Sequence, residues 1–245
     1  MSQWLFDLGN TRLKYAPCDG QGVGPVAVWA HQDQQRPLPE PAQLPAGSTA
    51  WLASVADQAL REQLRQRLLQ RFERVELASS SARCGRLRNG YAEPERLGVD
   101  RFLALLACAQ WQRDCLLVGV GTALTVDLLA ADGRHHGGVI APSPTSMRQA
   151  IHVKARHLPA EGGQMVDFAD NTLDALAAGS LGAALGLVQR SLGLARERLG
   201  RLPQLVVHGG GAGQLLPALH DARHVPALVL DGLAAWALHQ PAGSR

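Results

Sequence analysis

Aromatic residues are scarce, at 4% of 245 residues, so Leu, Ala and Val must fill any interior. The four cysteines, Cys18, Cys84, Cys108 and Cys115, form no CxxC pair and no zinc spacing, which leaves a reduced cytosolic setting as the simpler reading. A run of about 20 apolar residues, the length that crosses a bilayer, is missing. The short apolar opening at Trp4 meets Asp7 almost at once, with no basic region before it, so no export signal is read there. Charge of one sign is missing as well. The formal net charge is only +3, and Arg61, Arg65, Arg67 and Arg71 lie among Glu and Gln, as on a solvated helix face. The tightest basic cluster, Arg83, Arg86 and Arg88, has no aromatic platform or nucleic-acid motif beside it, so nucleic acid is not an expected partner.

What remains is an ordinary globular composition, 46% hydrophobic and 18% charged. At 26.1 kDa the chain makes one large domain or two modest ones, since domains run to about 100–200 residues. Residues 3–8 and 12–16 read as a hairpin turning at Gly9-Asn10, followed by a third strand over 23–29 and a Pro/Gln-rich loop over 32–47. A strand at 50–55 precedes a helix over 58–72, which carries Leu60, Leu64, Leu68 and Leu69 at helical spacing. A strand at 75–77 and a helix over 100–112 close the first half.

The second half repeats the grammar. Strands at 115–120 and 124–129 flank Gly121, and Asp132-Gly133 signals a further hairpin into 136–140. A helix is expected over 145–157, a loop over 158–170, and one or two closely packed helices over 172–199, where Gly179, Gly182, Gly186 and Gly193 recur. The chain then reads as strand 205–208, Gly-rich turn, helix 214–220, strand 227–230 and helix 232–239. The expectation is two related α/β domains, residues 1–113 and 114–245, facing each other across a cleft.

Four constellations carry chemistry. In Asp7-Leu8-Gly9-Asn10-Thr11-Arg12-Leu13-Lys14, turn N–H groups can cradle phosphate oxygens, Lys14 can offset their charge and Asp7 can hold Mg²⁺ directly or through water. The same residues would also serve a plain turn. The segment from Gly119 through Gly121 and Thr122 to Asp127 has the same form, and two such hairpins could grip a polyphosphate from both sides. In Gly98-Val99-Asp100-Arg101, Asp100 either caps a helix or accepts a hydroxyl proton, while the planar fork of Arg101 suits a carboxylate. Residues 209–213, Gly-Gly-Gly-Ala-Gly, leave a strand-to-helix turn bare enough for a base or sugar to lie against it. His135 and His136 lack a third ligand at metal spacing and are read as surface residues.

Taken in order, DLGNTRLK, GVDR, GTALTVD, GGVIAPS, Asn171-Thr172 and GGGAG resemble the motif series of the type III pantothenate kinases, also known through the Bvg accessory factor. The resemblance runs through essentially the whole chain. It implies the acetate and sugar kinase, Hsc70 and actin superfamily, with two ribonuclease-H-like domains and a homodimer in the cytoplasm. It also implies transfer of the ATP γ-phosphate to the primary hydroxyl of pantothenate, the first step of coenzyme A synthesis. By position, residues 7–14 become the first phosphate site with Asp7 organising Mg²⁺, and Asp127 is a second candidate metal ligand. Asp100 becomes the general base. Gly98, Val99, Asp100 and Arg101 line the pantothenate pocket, with Arg101 facing the carboxylate and Tyr91 as the pocket tyrosine. Thr122 falls at an ATP-contacting threonine and Thr172 at a substrate-contacting one.

Two departures stand out. Many family members carry an Asp at a monovalent-cation site where this chain has Gly119, which puts dependence on K⁺ or NH₄⁺ in doubt. The family's PG turn appears here as Pro142-Ser143. The competing readings are another phosphotransferase or phosphohydrolase of the superfamily, and an accessory protein of transcription; no DNA-reading helix supports the latter.

Overall fold

The structure is a computed structural model that describes residues 2–19, 22–31 and 37–240. In chain order the strands are β1 Gln3–Leu8, β2 Arg12–Asp19, β3 Gly22–Val23, β4 Ala27–Ala30, β5 Gly47–Ser54, β6 Phe72–Leu77, β7 Arg83–Cys84, β8 Leu87–Arg88, β9 Cys115–Val120, β10 Ala123–Leu129, β11 His135–Pro142, β12 Gln204–His208 and β13 Arg223–His224. The α-helices are α1 Gln58–Leu69, α2 Val99–Ala109, α3 Pro144–Lys154, α4 Thr172–Leu199 and α5 Leu228–Ala237.

The chain forms two compact units. The first comprises Met1–Gln112, Asp132–His135 and Ala227–Arg245; the second comprises Arg113–Ala131 and His136–Pro226. A cut at 113/114 therefore does not separate two continuous domains, because the last helix returns to the first unit.

The first unit is built on a sheet of order β3-β2-β1-β5-β6, with β4 also on β2. β1 runs antiparallel to β2 and parallel to β5, and β5 runs parallel to β6. Strand residues alternate between faces. Phe6, Leu8, Leu13, Ala50 and Leu52 join Leu64 and Leu68 of α1 in one core. The opposite face carries Asp7 and Lys14, directly paired across the hairpin, and α2 and α5 pack against that side. Trp51 of β5 meets Trp236 of α5 edge-on, centroids 5.9 Å apart. The two helices come so close that a Cβ on Gly232 would lie 1.9 Å from the carbonyl oxygen of Leu103.

The second unit has the order β11-β10-β9-β12-β13, again antiparallel at the hairpin (β9, β10) and parallel at β9-β12. Leu116, Val118, Val120, Leu124, Val126, Leu205 and Val207 share a core with Ala184, Leu185 and Val188 of α4. α4 is capped by the Asn171 side chain at one end and by left-handed Gly200 (φ 71°) at the other. By length and composition alone α4 is long and apolar enough to cross a bilayer, contrary to the sequence expectation. Its buried residues place it in this core.

Both opening hairpins fall where expected, and the strand over 115–120 matches to the residue. Several expectations are corrected. The third strand is two short ones, interrupted before Ala27, and part of the loop expected over 32–47 lies outside the described residues. Helix α1 ends at Leu69 because Phe72 already starts β6. The region 172–199 is one helix, and a side chain added at Gly179, Gly182, Gly186 or Gly193 would meet nothing within 4 Å, so among the described residues these glycines mediate no close packing. Two short 3-10 turns, Ala212–Gln214 and Leu216–Ala218, replace the helix at 214–220. The strand expected at 227–230 is the start of α5, and the strand there is Arg223–His224.

Candidate active site

In the first unit, hairpin register decides what lies together. Leu8 pairs with Leu13, leaving four residues, Gly9 to Arg12, as the tip. Gly9 N–H donates to the carbonyl of Arg12 (3.0 Å). His31 Nε2 donates to the carbonyl of Gly9 (3.1 Å), and its backbone N–H donates to that of Thr11. His31 thus holds the loop from outside, a role no local spacing signals. Asn10 and Arg12 are exposed and Thr11 is partly so.

Asp7 keeps some solvent exposure, yet its carboxyl is surrounded by protein and its pKa is raised to about 7. Burial is the main cause, Lys14 opposes it and the negative charge of Asp100 adds to it. Asp7, Lys14 and Asp100 therefore form one electrostatic group. Such a site suits a hard divalent cation, because Mg²⁺ takes one or two carboxylates plus phosphate oxygens and keeps several waters. Asp7, with Asp100 near enough to act on it, offers carboxylate oxygen to such a cation, and phosphate and water would supply the rest.

Asp100 lies in the first turn of α2, whose N-cap is Gly98. The cap reading is thereby corrected: Asp100 Oδ1 accepts from the next N–H, that of Arg101, at 2.8 Å, which fixes the carboxylate at the helix start. A Cβ at residue 98 would lie 2.8 Å from that same oxygen, so Gly98 leaves it room. Arg101 is only 6% exposed, and its Nη1 donates to the Tyr91 hydroxyl at 2.8 Å. Asn89 shapes the loop that presents Tyr91: its Oδ1 accepts from Tyr91 N–H (3.0 Å), while its Nδ2 donates to the carbonyls of Ser81 and Pro94. His135, expected at the surface, is 1% exposed, and its ring stacks on Tyr91. Arg88 of the basic cluster is engaged by Asp132, at 2.6 Å.

In the second unit, Val120 pairs with Leu124, so this tip is one residue shorter, with Gly121 N–H donating to Ala123 (2.9 Å). Thr122 is exposed there. Its carbonyl accepts from Ser146 Oγ (2.6 Å) and from Ser143 N–H (3.4 Å), which brings the N-terminus of α3 to the hairpin tip. Ser143 caps that helix through its side chain, with φ −68°; this backbone requires no glycine, so the departure from a PG turn is unstrained. The glycine-rich turn reaches the same end of β9. Gly211 N–H donates to the carbonyl of Val120 (2.9 Å), and Gly209, at φ 96°, would place a Cβ 2.4 Å from that oxygen. Gln214 Nε2 donates to Thr145 Oγ1 (3.2 Å). Thr122, the α3 N-terminus and residues 209–211 thus converge on one end of the second sheet, the surroundings that favour a phosphate. Ser143, Thr145, Ser146 and Gln214 were missed from sequence, although Ser followed by Pro is a helix-start signal.

Asp127 is 3% exposed, opposite Leu117. Gly119 lies between Thr125 and His208 in the register. A Cβ there would sit 2.6 Å from Thr125 Oγ1 and 3.0 Å from His208 Nε2. A hydroxyl and an imidazole thus occupy the space that a side chain at this position would enter. Thr172 is the exposed first residue of α4, beside Asn171, whose Oδ1 accepts from Asp174 N–H (3.0 Å).

Solved structures share this fold. A protein of Campylobacter jejuni described as a Baf family transcriptional activator superposes with TM-score 0.62 at 18% identity, covering 94% of each chain. A Sinorhizobium meliloti protein described as a 2-dehydro-3-deoxygalactonokinase gives 0.59 at 16%, covering 96% of this chain and 98% of the other. These likenesses are of fold, at 18% and 16% identity. A type III pantothenate kinase of Stenotrophomonas maltophilia is 55% identical over 99% of this chain and 100% of its own length. The model of the type III pantothenate kinase family matches residues 4–193, a span holding the Asp7 hairpin, the Asp100-Arg101 helix start and the Thr122 tip. This chain belongs to the type III pantothenate kinases.

Proposed function

We propose that Asp100 is the general base and Arg101 the carboxylate anchor in the reaction of this family, phosphorylation of pantothenate in the first step of coenzyme A synthesis. The observation that carries the assignment is the first turn of α2. It places a carboxylate and a buried, tyrosine-anchored guanidinium on successive residues, and the carboxylate is close enough to Asp7 to raise its pKa. Arg101 takes the pantothenate carboxylate in its planar fork, with Tyr91 fixing the guanidinium. Asp100 accepts the proton of the primary hydroxyl as that oxygen bonds to the γ-phosphorus of ATP and the bond from γ-phosphorus to the β-γ bridging oxygen breaks, releasing ADP. Lys14 and the N–H groups of the first tip meet the phosphates. In the second unit, Thr122, the α3 N-terminus and the glycine turn form a phosphate-binding end of their own. Gly98 and Val99 line the pantothenate side, and Thr172 is a further candidate for substrate contact.

Mg²⁺, when bound, would offset the charge of the phosphates as it builds up during transfer. Asp7 would hold it, directly or through water, and Asp127 is the second candidate. Phosphoryl transfer asks little covalent work of a protein, so alignment and charge placement dominate. At residue 119 the hydroxyl and imidazole contacts support turnover without K⁺ or NH₄⁺.

The chain works as a homodimer in the cytoplasm. Exposed apolar side chains such as Ile140 (63%), Val153 (70%) and Phe168 (99%) on the second unit support self-association, and the cysteines form no disulfide. Light scattering of the purified protein tests the dimer.

The base assignment is tested by Asp100→Asn. It should bind ATP and pantothenate with affinities within about threefold of wild type yet lose on the order of 10²–10⁴ in single-turnover rate; wild-type turnover would refute it.

A further inference from the structure

We infer that His135 is a positioning residue for pantothenate: it fixes Tyr91, and through Tyr91 the guanidinium that receives the carboxylate. It rests on the assignment of Arg101 to that carboxylate.

Arg101 is buried, so the direction of its planar donors decides whether two parallel hydrogen bonds to a carboxylate can form. The side chain of Tyr91 meets it twice. Its hydroxyl accepts from Nη1 at 2.8 Å, and its ring centroid lies 5.6 Å from Cζ, within cation–π range. Tyr91 is itself only half-buried and sits in a loop, where an exposed tyrosine would sample rotamers unless something held the ring.

His135 is what holds it. The imidazole lies nearly parallel to the tyrosine ring, 16° between planes and 6.0 Å between centroids, an offset stack. Nδ1 accepts from the N–H of Gly90 at 3.4 Å, so the ring is tied to the residue just before Tyr91 and supports both backbone and side chain of the same loop. The segment that brings His135 is fastened to the first unit at three points. Gly133 packs so tightly that a Cβ would lie 2.1 Å from the carbonyl oxygen of Arg86, Arg88 N–H donates to the Gly133 carbonyl (2.8 Å), and Arg88 pairs with Asp132. A buried imidazole delivered this firmly, with its ring on the tyrosine that orients the anion-binding arginine, has a use in substrate alignment.

The test is steady-state kinetics of His135→Ala, His135→Phe and Arg101→Ala with two acceptors, pantothenate and its alcohol analogue pantothenol, which lacks the carboxylate. His135→Ala should raise KM for pantothenate about tenfold, the size of one weakened charge-assisted hydrogen bond. Its kcat, its KM for ATP and its KM for pantothenol should each stay within about twofold of wild type. His135→Phe keeps the stack and should restore most of the pantothenate KM. An unchanged pantothenate KM in both His135 variants, with Arg101→Ala raising it, overturns the role of His135 alone. An unchanged pantothenate KM in Arg101→Ala overturns the carboxylate assignment beneath it. Equal loss on both acceptors in His135→Phe identifies a merely structural histidine and also overturns the inference.

Discussion

His208 occupies the space into which a side chain at Gly119 would grow, its Nε2 3.0 Å from the position of a Cβ there, with Thr125 Oγ1 closer still at 2.6 Å. The two side chains fill this part of the strand face, where a carboxylate would have to displace both. Turnover in K⁺-free, NH₄⁺-free buffer should therefore be within about twofold of that in saturating K⁺, a difference too small to reflect a lost electrostatic contact. Gly119→Asp should lower the melting temperature through overpacking, at about 1–3 kcal/mol. A rate that falls tenfold or more on removing K⁺ from the wild type would contradict this.

Asp7 should titrate near 7 in the ligand-free protein, read from its side-chain carboxyl ¹³C shift and absent in Asp7→Asn. The unfolded chain gives up this proton near 4, whereas the native state keeps it to about 7. Between those values the native protein binds more protons, so stability falls as pH rises through this window. Asp7→Asn should flatten that fall in denaturant titrations between pH 4 and 8. An Asp7 midpoint near 4 would show that its carboxyl is solvated.

Gly232→Ala should be strongly destabilising, because its Cβ would meet the Leu103 backbone at 1.9 Å and a backbone cannot yield as a side-chain tip can. A loss of about 3 kcal/mol or more by chemical denaturation is expected, at the upper end of overpacking costs. Gly179→Ala, on the open side of α4, should instead be neutral or stabilising by up to about 1 kcal/mol.

Ser143→Ala removes the α3 cap and should cost about 1 kcal/mol. Because the Ser143 hydroxyl also reaches Ser146, whose Oγ holds the Thr122 carbonyl, KM for ATP should rise. Ser143→Gly should cost less stability, since glycine is a tolerable cap, although the φ of −68° gives it no conformational advantage.

Much of the fold was legible because it is written locally. The apolar run of β9, the Gly9-Asn10 tip and the leucine spacing of α1 each declare themselves within a few residues. Superfamily and reaction were legible through motif order. What was not legible depends on distant partners. Residues 227–230, Ala-Leu-Val-Leu, read as a strand on composition; they open a helix because Gly232 and Trp236 dock on Leu103 and Trp51, more than 100 residues away in sequence. His135 looked like a surface residue beside a turn, since only the return of 132–135 onto residues 86–91 buries it. His31 and Ser146 act on backbone carbonyls of remote loops, contacts no spacing encodes. Asp100, expected on spacing to be the cap, leaves that position to Gly98 and holds its carboxylate against the next N–H instead.

The most direct test is to incubate the purified protein with Mg-ATP and pantothenate, with sugar and acetate in parallel, and follow products by mass spectrometry. Phosphopantothenate should form, with no phosphorylated sugar or acetyl phosphate; ATP binding without phosphopantothenate, or phosphoryl transfer to a sugar instead, would contradict the account.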